Sequence, residues 1–221
     1  MSVIRRPGML GRTTQRRLVG TTAALSAALV ETLAVGAWFV LVTEARTVST
    51  AMAGLGVLFC GSLLRVSVFG AATKQPVDVL RPRRLVAVPT LAGCWLVWLL
   101  VAERVSGLAG IGVASVVLAA VLTGQFALER RVFRVGRVYD TASHTGLVPV
   151  LIAVPGVLVA VGATALLSTA WLLDWTLTAT AFSLEGMTLV LELQSLHAGV
   201  LAFGCASFLA QQRRLYRLLT S

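Results

Sequence analysis

Six runs of mainly apolar residues follow one another along the chain, each about 17 to 27 residues long and separated by short polar segments. A helix needs about 20 such residues to cross roughly 30 Å of hydrocarbon, because it rises 1.5 Å per residue. Only 13% of the residues are charged, about half the share of a soluble domain. We therefore predict an all-α fold, a polytopic helical membrane bundle of about six transmembrane helices. The predicted spans are residues 18–42, 49–72, 85–101, 105–126, 147–173 and 187–210.

The basic residues indicate which ends of these helices lie inside the cell. Sixteen of the 19 Lys and Arg residues lie in alternate connections and the two ends of the chain, namely residues 1–17, 73–84, 127–146 and 211–221. The other connections hold only Arg46 and Arg104. Positive residues collect on the cytoplasmic side of a membrane. This pattern predicts a multi-pass protein of the cell membrane with basic cytoplasmic tails at 1–17 and 211–221.

The tryptophans favour the same topology. Trp38, Trp98, Trp171 and Trp175 fall near the ends of the predicted helices that lie outside. Tryptophan is enriched at membrane–water interfaces. We expect these residues to form an aromatic belt.

The net charge of +10 also bears on partners. The basic segments flank apolar runs, so we expect them to contact anionic head groups of the inner leaflet, and we expect no nucleic acid. Within residues 129–140 the pattern predicts a short amphipathic helix, or an extension of the fourth span. The residues predicted to contact lipid there are Arg130, Arg131, Arg134 and Arg137.

Several polar residues fall inside or at the ends of the predicted spans, where an ionisable group is costly and often functional. By helical rise, Glu31 lies about 20 Å and His197 about 24 Å from the inner boundary. Arg65 lies about 13 Å and Glu192 about 31 Å from it by the same count. With Gln194, these residues form the candidate polar site. It is either a proton, cation or substrate site, or a buried polar clamp between helices.

Metal and cofactor sites are not indicated. No second His or carboxylate stands three or four residues from His197, and the only other histidine is His144. The three cysteines are isolated within apolar runs and show no disulfide or metal spacing. We expect no metal, no cofactor and no catalytic residues.

The outer segment 174–186 has a different pattern. Apolar residues alternate there with Thr176, Thr178 and Thr180. We interpret it as a small cap or a re-entrant segment, and leave both open.

Two short patterns resemble known membrane families. The stretch Glu129-Arg-Arg-Val-Phe-Arg134, with the later Leu196-His197, resembles motifs of CAAX-processing and bacteriocin-processing intramembrane proteases. Arg130 stands where that family has a second Glu, and Leu201 stands where Asn or Asp follows the His. The resemblance implies a degenerate relative without the activating carboxylate pair.

The architecture is also similar to that of the substrate-binding subunits of energy-coupling-factor transporters. The similar features are six spans, inner termini and the small-residue pattern Ala23-xxx-Ala27 in the first span. This resemblance implies a membrane subunit that works with partner proteins.

The leading functional hypothesis is a non-enzymatic membrane protein, either a small transporter or channel-type subunit or a scaffold. Other membrane proteins or a second copy of the chain are the expected protein partners. The alternative is a membrane-embedded enzyme, such as the degenerate protease.

Overall fold

The computed structural model describes the backbone of residues 8–44, 47–72, 82–133, 148–173, 176–184 and 187–220. Side chains are described for residues 17–44, 47–71, 89–127, 153–173 and 194–217.

Six α-helices account for most of the described backbone, in the order expected from the apolar runs. They are α1 Gly8–Glu44, α2 Val48–Ala72, α3 Pro82–Val105, α4 Gly107–Phe133, α5 Val148–Trp171 and α6 Ser195–Thr220. Within the described residues, four helices are long and apolar enough to cross a membrane, namely α1, α2, α4 and α5. The structure therefore confirms the prediction of a helical protein with several helices able to cross a membrane.

The first and last helices extend into the segments predicted as basic tails. Helix α1 has 37 residues, which corresponds to about 55 Å. It begins at Gly8, within the segment predicted as the first basic tail. Helix α6 continues to Thr220, so most of the segment 211–221 is helical. These segments were predicted as tails from their basic residues alone, and the charge of a segment does not show where a helix begins or ends.

A sharp reversal joins α3 to α4 at Ser106 and Gly107. Both have positive φ, 54° and 62°. Glycine adopts this conformation without steric cost, and serine does so rarely. The reversal brings the start of α4 against the end of α3, where a Cβ at Gly110 would lie 2.7 Å from the carbonyl oxygen of Ala102.

A two-stranded antiparallel hairpin separates α5 from α6. Its strands are β1 Thr176–Leu184 and β2 Met187–Gln194, with Ala181 opposite Val190 and a bulge near Thr176–Thr178. The start of the sixth span at residue 187 was therefore wrong, since helix begins only at Ser195. Within the predicted outer segment, Thr176–Leu184 is a strand. Apolar and polar residues that alternate with a period of two indicate a strand. Residues 187–194 are also apolar on average, and this high mean hydropathy favoured a membrane helix there.

The chain divides into two compact units. Unit 1 comprises Met1–Val88 and Phe208–Ser221, and unit 2 comprises Pro89–Ser207. In unit 1, α1 packs closely on α2. A Cβ at Gly61 would lie 2.3 Å from the Cβ of Ala34, so only glycine permits this approach. The end of α6 completes a small apolar core of unit 1, which contains Ala24, Ala27, Phe69 and Leu215.

Unit 2 is held by close packing among α3, α4, α5 and the first part of α6. A Cβ at Gly156 in α5 would lie 2.6 Å from Thr123 Oγ1 in α4. One at Gly162 would lie 3.0 Å from the Cα of Phe203 in α6. The ring of Trp95 in α3 meets the ring of Phe203 edge to face, with the centroids 5.5 Å apart.

The tryptophans differ from the predicted aromatic belt. Trp38, Trp95 and Trp98 are fully buried within the protein, at 0%, 1% and 0% exposure. Their burial reflects packing of large apolar rings between helices, so the belt interpretation is wrong for Trp38 and Trp98. Trp171 is half-buried, and Trp175 lies outside the described residues.

Candidate functional site

A buried ion pair joins α1 to α2 in unit 1. Arg65 Nη1 donates to Glu31 Oε1 at 3.0 Å, and both side chains are only 2% exposed. The pair lies one helical turn from the glycine contact, because Ala34 follows Glu31 by three residues and Gly61 precedes Arg65 by four. The close approach of the two backbones therefore brings carboxylate and guanidinium within hydrogen-bonding distance.

The last part of α6 supplies the second half of this site. Gln211 Nε2 donates to Glu31 Oε2 at 2.6 Å. The amide oxygen of Gln211 in turn accepts from Arg214 Nη1 at 3.0 Å. The guanidinium of Arg214 lies over the ring of Phe69, 4.8 Å from its centroid, in cation–π geometry. We call Glu31, Arg65, Gln211 and Arg214 the polar cluster.

The polar cluster satisfies the carboxylate at its centre. Each oxygen of Glu31 accepts a hydrogen bond, one from a guanidinium and one from an amide. A buried charge is tolerated when it is paired and hydrogen-bonded, and removal of one partner costs several kcal/mol. The cluster therefore links α1, α2 and α6 through groups that depend on one another. Its formal charge is +1, since two arginines accompany one glutamate.

The sequence identified two members of the polar cluster and missed the other two. Glu31 and Arg65 both belong to the predicted polar site, and they form the ion pair. Gln211 and Arg214 were assigned to a cytoplasmic tail because they fall within a basic segment. Their spacing was the available signal, because Gln211 and Arg214 share one face of a helix with the apolar residue Leu215.

His197 lies elsewhere on α6, at its first turn. Its Nδ1 accepts the backbone N–H of Gln194 at 3.1 Å, and both residues are exposed. This bond caps the start of α6, where backbone N–H groups otherwise lack partners. The partner that the end of α6 supplies to Glu31 is Gln211, which follows His197 by 14 residues.

A second contact joins the start of α6 to the end of α5. Ser195 is buried, and its single hydroxyl proton is shared between the carbonyl oxygens of Thr169, at 3.1 Å, and of Leu173. Thr169 lies in the last turn of α5 and Leu173 lies two residues after its end, where a helix leaves its last acceptors unpaired. Glu192 lies in β2, and its side chain is outside the described residues.

The predicted lipid-contacting arginines are described only in part. Arg130 and Arg131 lie in the last turns of α4, which agrees with an extension of the fourth span. Their side chains lie outside the described residues, as do Arg134 and Arg137 altogether. Contact of this segment with lipid stays a prediction.

The arrangement expected of a degenerate protease is not supported within unit 2. Thr123 of α4 meets Gly156 of α5, so Glu129 is level with about residue 150 of α5. Ser195, two residues before His197, meets Thr169 at the other end of α5. About 19 residues of helix, or roughly 28 Å, separate the two levels. One reaction centre cannot use both groups at that separation.

Unit 2 contains smaller polar contacts between helices. Cys94 Sγ in α3 lies 3.1 Å from Gln125 Oε1 in α4, and both side chains are buried. Ser115 and Thr164 pair their hydroxyl groups between α4 and α5. Among the described residues no group of three His, Cys, Asp or Glu side chains is placed to hold a metal ion.

Comparison with known proteins gives no relative. No protein-family model, curated protein or solved structure matches this chain.

Proposed function

We propose that this chain is an integral membrane protein that serves as a structural subunit, a scaffold for membrane partners or a second copy of itself. Its helices cross six times with both termini in the cytoplasm. Four apolar helices support membrane insertion. Large apolar side chains exposed on their outer faces, such as Leu33 at 70%, Val116 at 70% and Val161 at 60%, support it further. Such surfaces are stable in lipid and aggregate in water.

A structural role is favoured by the bonding of Glu31. A buried carboxylate that takes up a proton, cation or solute during a transport cycle has to give up hydrogen bonds to the protein, and each lost bond has a cost. Both oxygens of Glu31 are engaged, with Arg65 and with Gln211. This single observation favours the clamp over the transport site, because the cluster's own bonds already meet the needs of burial.

Flux through reconstituted protein tests the proposal. Purified wild-type protein is inserted into liposomes that contain a pH-sensitive dye, and proton entry is followed after a pH jump and after a potassium diffusion potential. A scaffold gives the leak rate of empty liposomes under both conditions. Proton flux above that rate, abolished by Glu31→Gln in protein that still folds and inserts, would show a transport function and overturn the proposal.

A further inference from the structure

The hairpin between α5 and α6 has one strongly apolar face. Its register is regular from Thr178 to Leu193, so residues two apart on a strand, and residues paired across the strands, share a face. Beside Thr178 and Thr180, one face carries six large apolar residues, namely Phe182, Leu184, Met187, Leu189, Leu191 and Leu193. The opposite face has one large apolar residue, Val190, and includes Glu192. The hairpin is therefore amphipathic, with a period of two.

This apolar face needs a surface to pack on. Within the described residues the sheet contains only these two strands. An isolated two-stranded hairpin is only marginally stable in water, and packing of its apolar face stabilises it. Nearby parts of unit 2 are themselves exposed, since Leu172 and Leu173 after α5 are 48% and 42% exposed and Leu108 at the start of α4 is 74% exposed. The hairpin therefore does not cover these apolar residues.

Both ends of the hairpin lie where apolar helices end. The stretch of α5 that is long and apolar enough to cross a membrane ends at Trp171, and β1 begins five residues later. Strand β2 leads directly into α6, whose first residue Ser195 contacts Thr169 in the last turn of α5. The base of the hairpin is therefore level with the end of a membrane-crossing stretch.

The free edges of the hairpin set a second condition. The outer edges of β1 and β2 carry backbone N–H and C=O groups that no further strand of the described residues pairs. Open sheet edges do not occur in the hydrocarbon of a membrane, because no water is present there to bond these groups. Water satisfies the edges but disfavours the apolar face. Both conditions are met together at the membrane interface, where acyl chains, head groups and water lie within a few ångströms.

We propose that the hairpin lies on the outer leaflet of the membrane, with the face of Leu189 and Leu191 against lipid and the face of Glu192 towards water. Residues 174–194 contain three acidic residues and no basic residue, so apolar contact rather than attraction to anionic head groups holds the hairpin there. This proposal rests on the membrane insertion and topology proposed above. It specifies lipid as the surface that stabilises the hairpin.

Spin labelling of the full chain in liposomes tests the proposal. The three native cysteines are replaced by alanine, and single cysteines that carry a nitroxide label are placed in turn at residues 188–193. Collision of each label with oxygen, which dissolves in lipid, and with a water-soluble nickel complex is measured by electron paramagnetic resonance. Labels at Leu189 and Leu191 should collide mainly with oxygen. Labels at their neighbours Val190 and Glu192 should collide mainly with nickel, in phosphatidylcholine and in phosphatidylglycerol alike.

Strand β1 supplies a second, independent pair, which keeps the test valid if variants of β2 fail to fold. Phe182→Cys should resemble the labels on the apolar face, and its neighbour Ala181→Cys should resemble those on the other face. Val161→Cys is the control for insertion, because Val161 is 60% exposed within the apolar stretch of α5. Its label should collide with oxygen.

Four outcomes overturn the proposal. Collision with nickel on both faces of the hairpin would place it in water. Protection of Leu189 and Leu191 from both reagents would show that a protein surface covers the apolar face. An alternation seen only in phosphatidylglycerol would show that charge holds the hairpin at the membrane. Collision of the Val161 label with nickel would refute the membrane insertion itself, and with it both proposals.

Discussion

Removing the charge of Glu31 should destabilise the protein strongly. In Glu31→Gln, Arg65 remains buried at 2% exposure without its counter-ion, and the new amide cannot accept from both Arg65 and Gln211 as the carboxylate does. Leaving one charge of a buried pair without its partner costs about 3 to 5 kcal/mol. For a chain of this size, 1 kcal/mol shifts the melting temperature by about 2 to 4 °C. We therefore expect a decrease of roughly 6 to 20 °C.

Thermal unfolding of purified protein in one detergent measures this change, with near-ultraviolet circular dichroism as the signal for tertiary packing. Glu44→Gln is the matched control, because Glu44 lies on the same helix and is exposed, and we expect a change below about 0.5 kcal/mol. The charge exchange Glu31→Arg with Arg65→Glu should recover part of the loss. A melting temperature of Glu31→Gln equal to that of Glu44→Gln would refute the clamp.

Three further substitutions test the packing and the caps. Gly61→Ala places a methyl group against Ala34 and should cost about 1 to 3 kcal/mol of unfolding free energy in the same melting assay. Gly56→Ala, with open space around it on the same helix, should be neutral or stabilising. Gly107→Ala forces alanine to a φ of 62° and should cost about 1 to 2 kcal/mol, whereas Gly112→Ala on the same helix should not. Ser195→Ala removes the donor to the carbonyls of Thr169 and Leu173 and should cost about 1 to 3 kcal/mol. A glycine variant with the same melting temperature as its control would contradict these packing assignments. So would a Ser195→Ala variant with the melting temperature of wild type.

The number and order of the helices followed from the sequence because membrane insertion imposes one simple rule on composition. Any helix exposed to lipid needs about 20 apolar residues, and that signal is long and redundant. The hairpin was missed because residues 187–194 are apolar as well as alternating. Length and hydropathy favoured a helix there, while the period of two, visible in Thr176, Thr178 and Thr180, favoured a strand. A short alternating segment next to an apolar helix therefore needs its period examined separately.

Two of the four residues of the polar cluster could be predicted from the sequence, again because of the composition of the apolar runs. Glu31 and Arg65 are conspicuous because a charge within an apolar run needs a partner. Gln211 is inconspicuous because it stands beside arginines in a polar segment, one residue beyond the predicted end of the sixth span at residue 210. The contact with Glu31 shows that the last turns of α6 pack against α1 and α2. Depth counted along one helix cannot reveal such an offset between helices.

The central claim, six crossings with both ends of the chain inside, is tested most directly by cysteine labelling in intact cells. Cys60, Cys94 and Cys205 are first replaced by alanine, and single cysteines are then introduced at Ser2, Val48, Ser106 and Ser221. A membrane-impermeant maleimide should label positions 48 and 106 from outside, and positions 2 and 221 only after the membrane is permeabilised. Labelling of either terminal position in intact cells would contradict the topology.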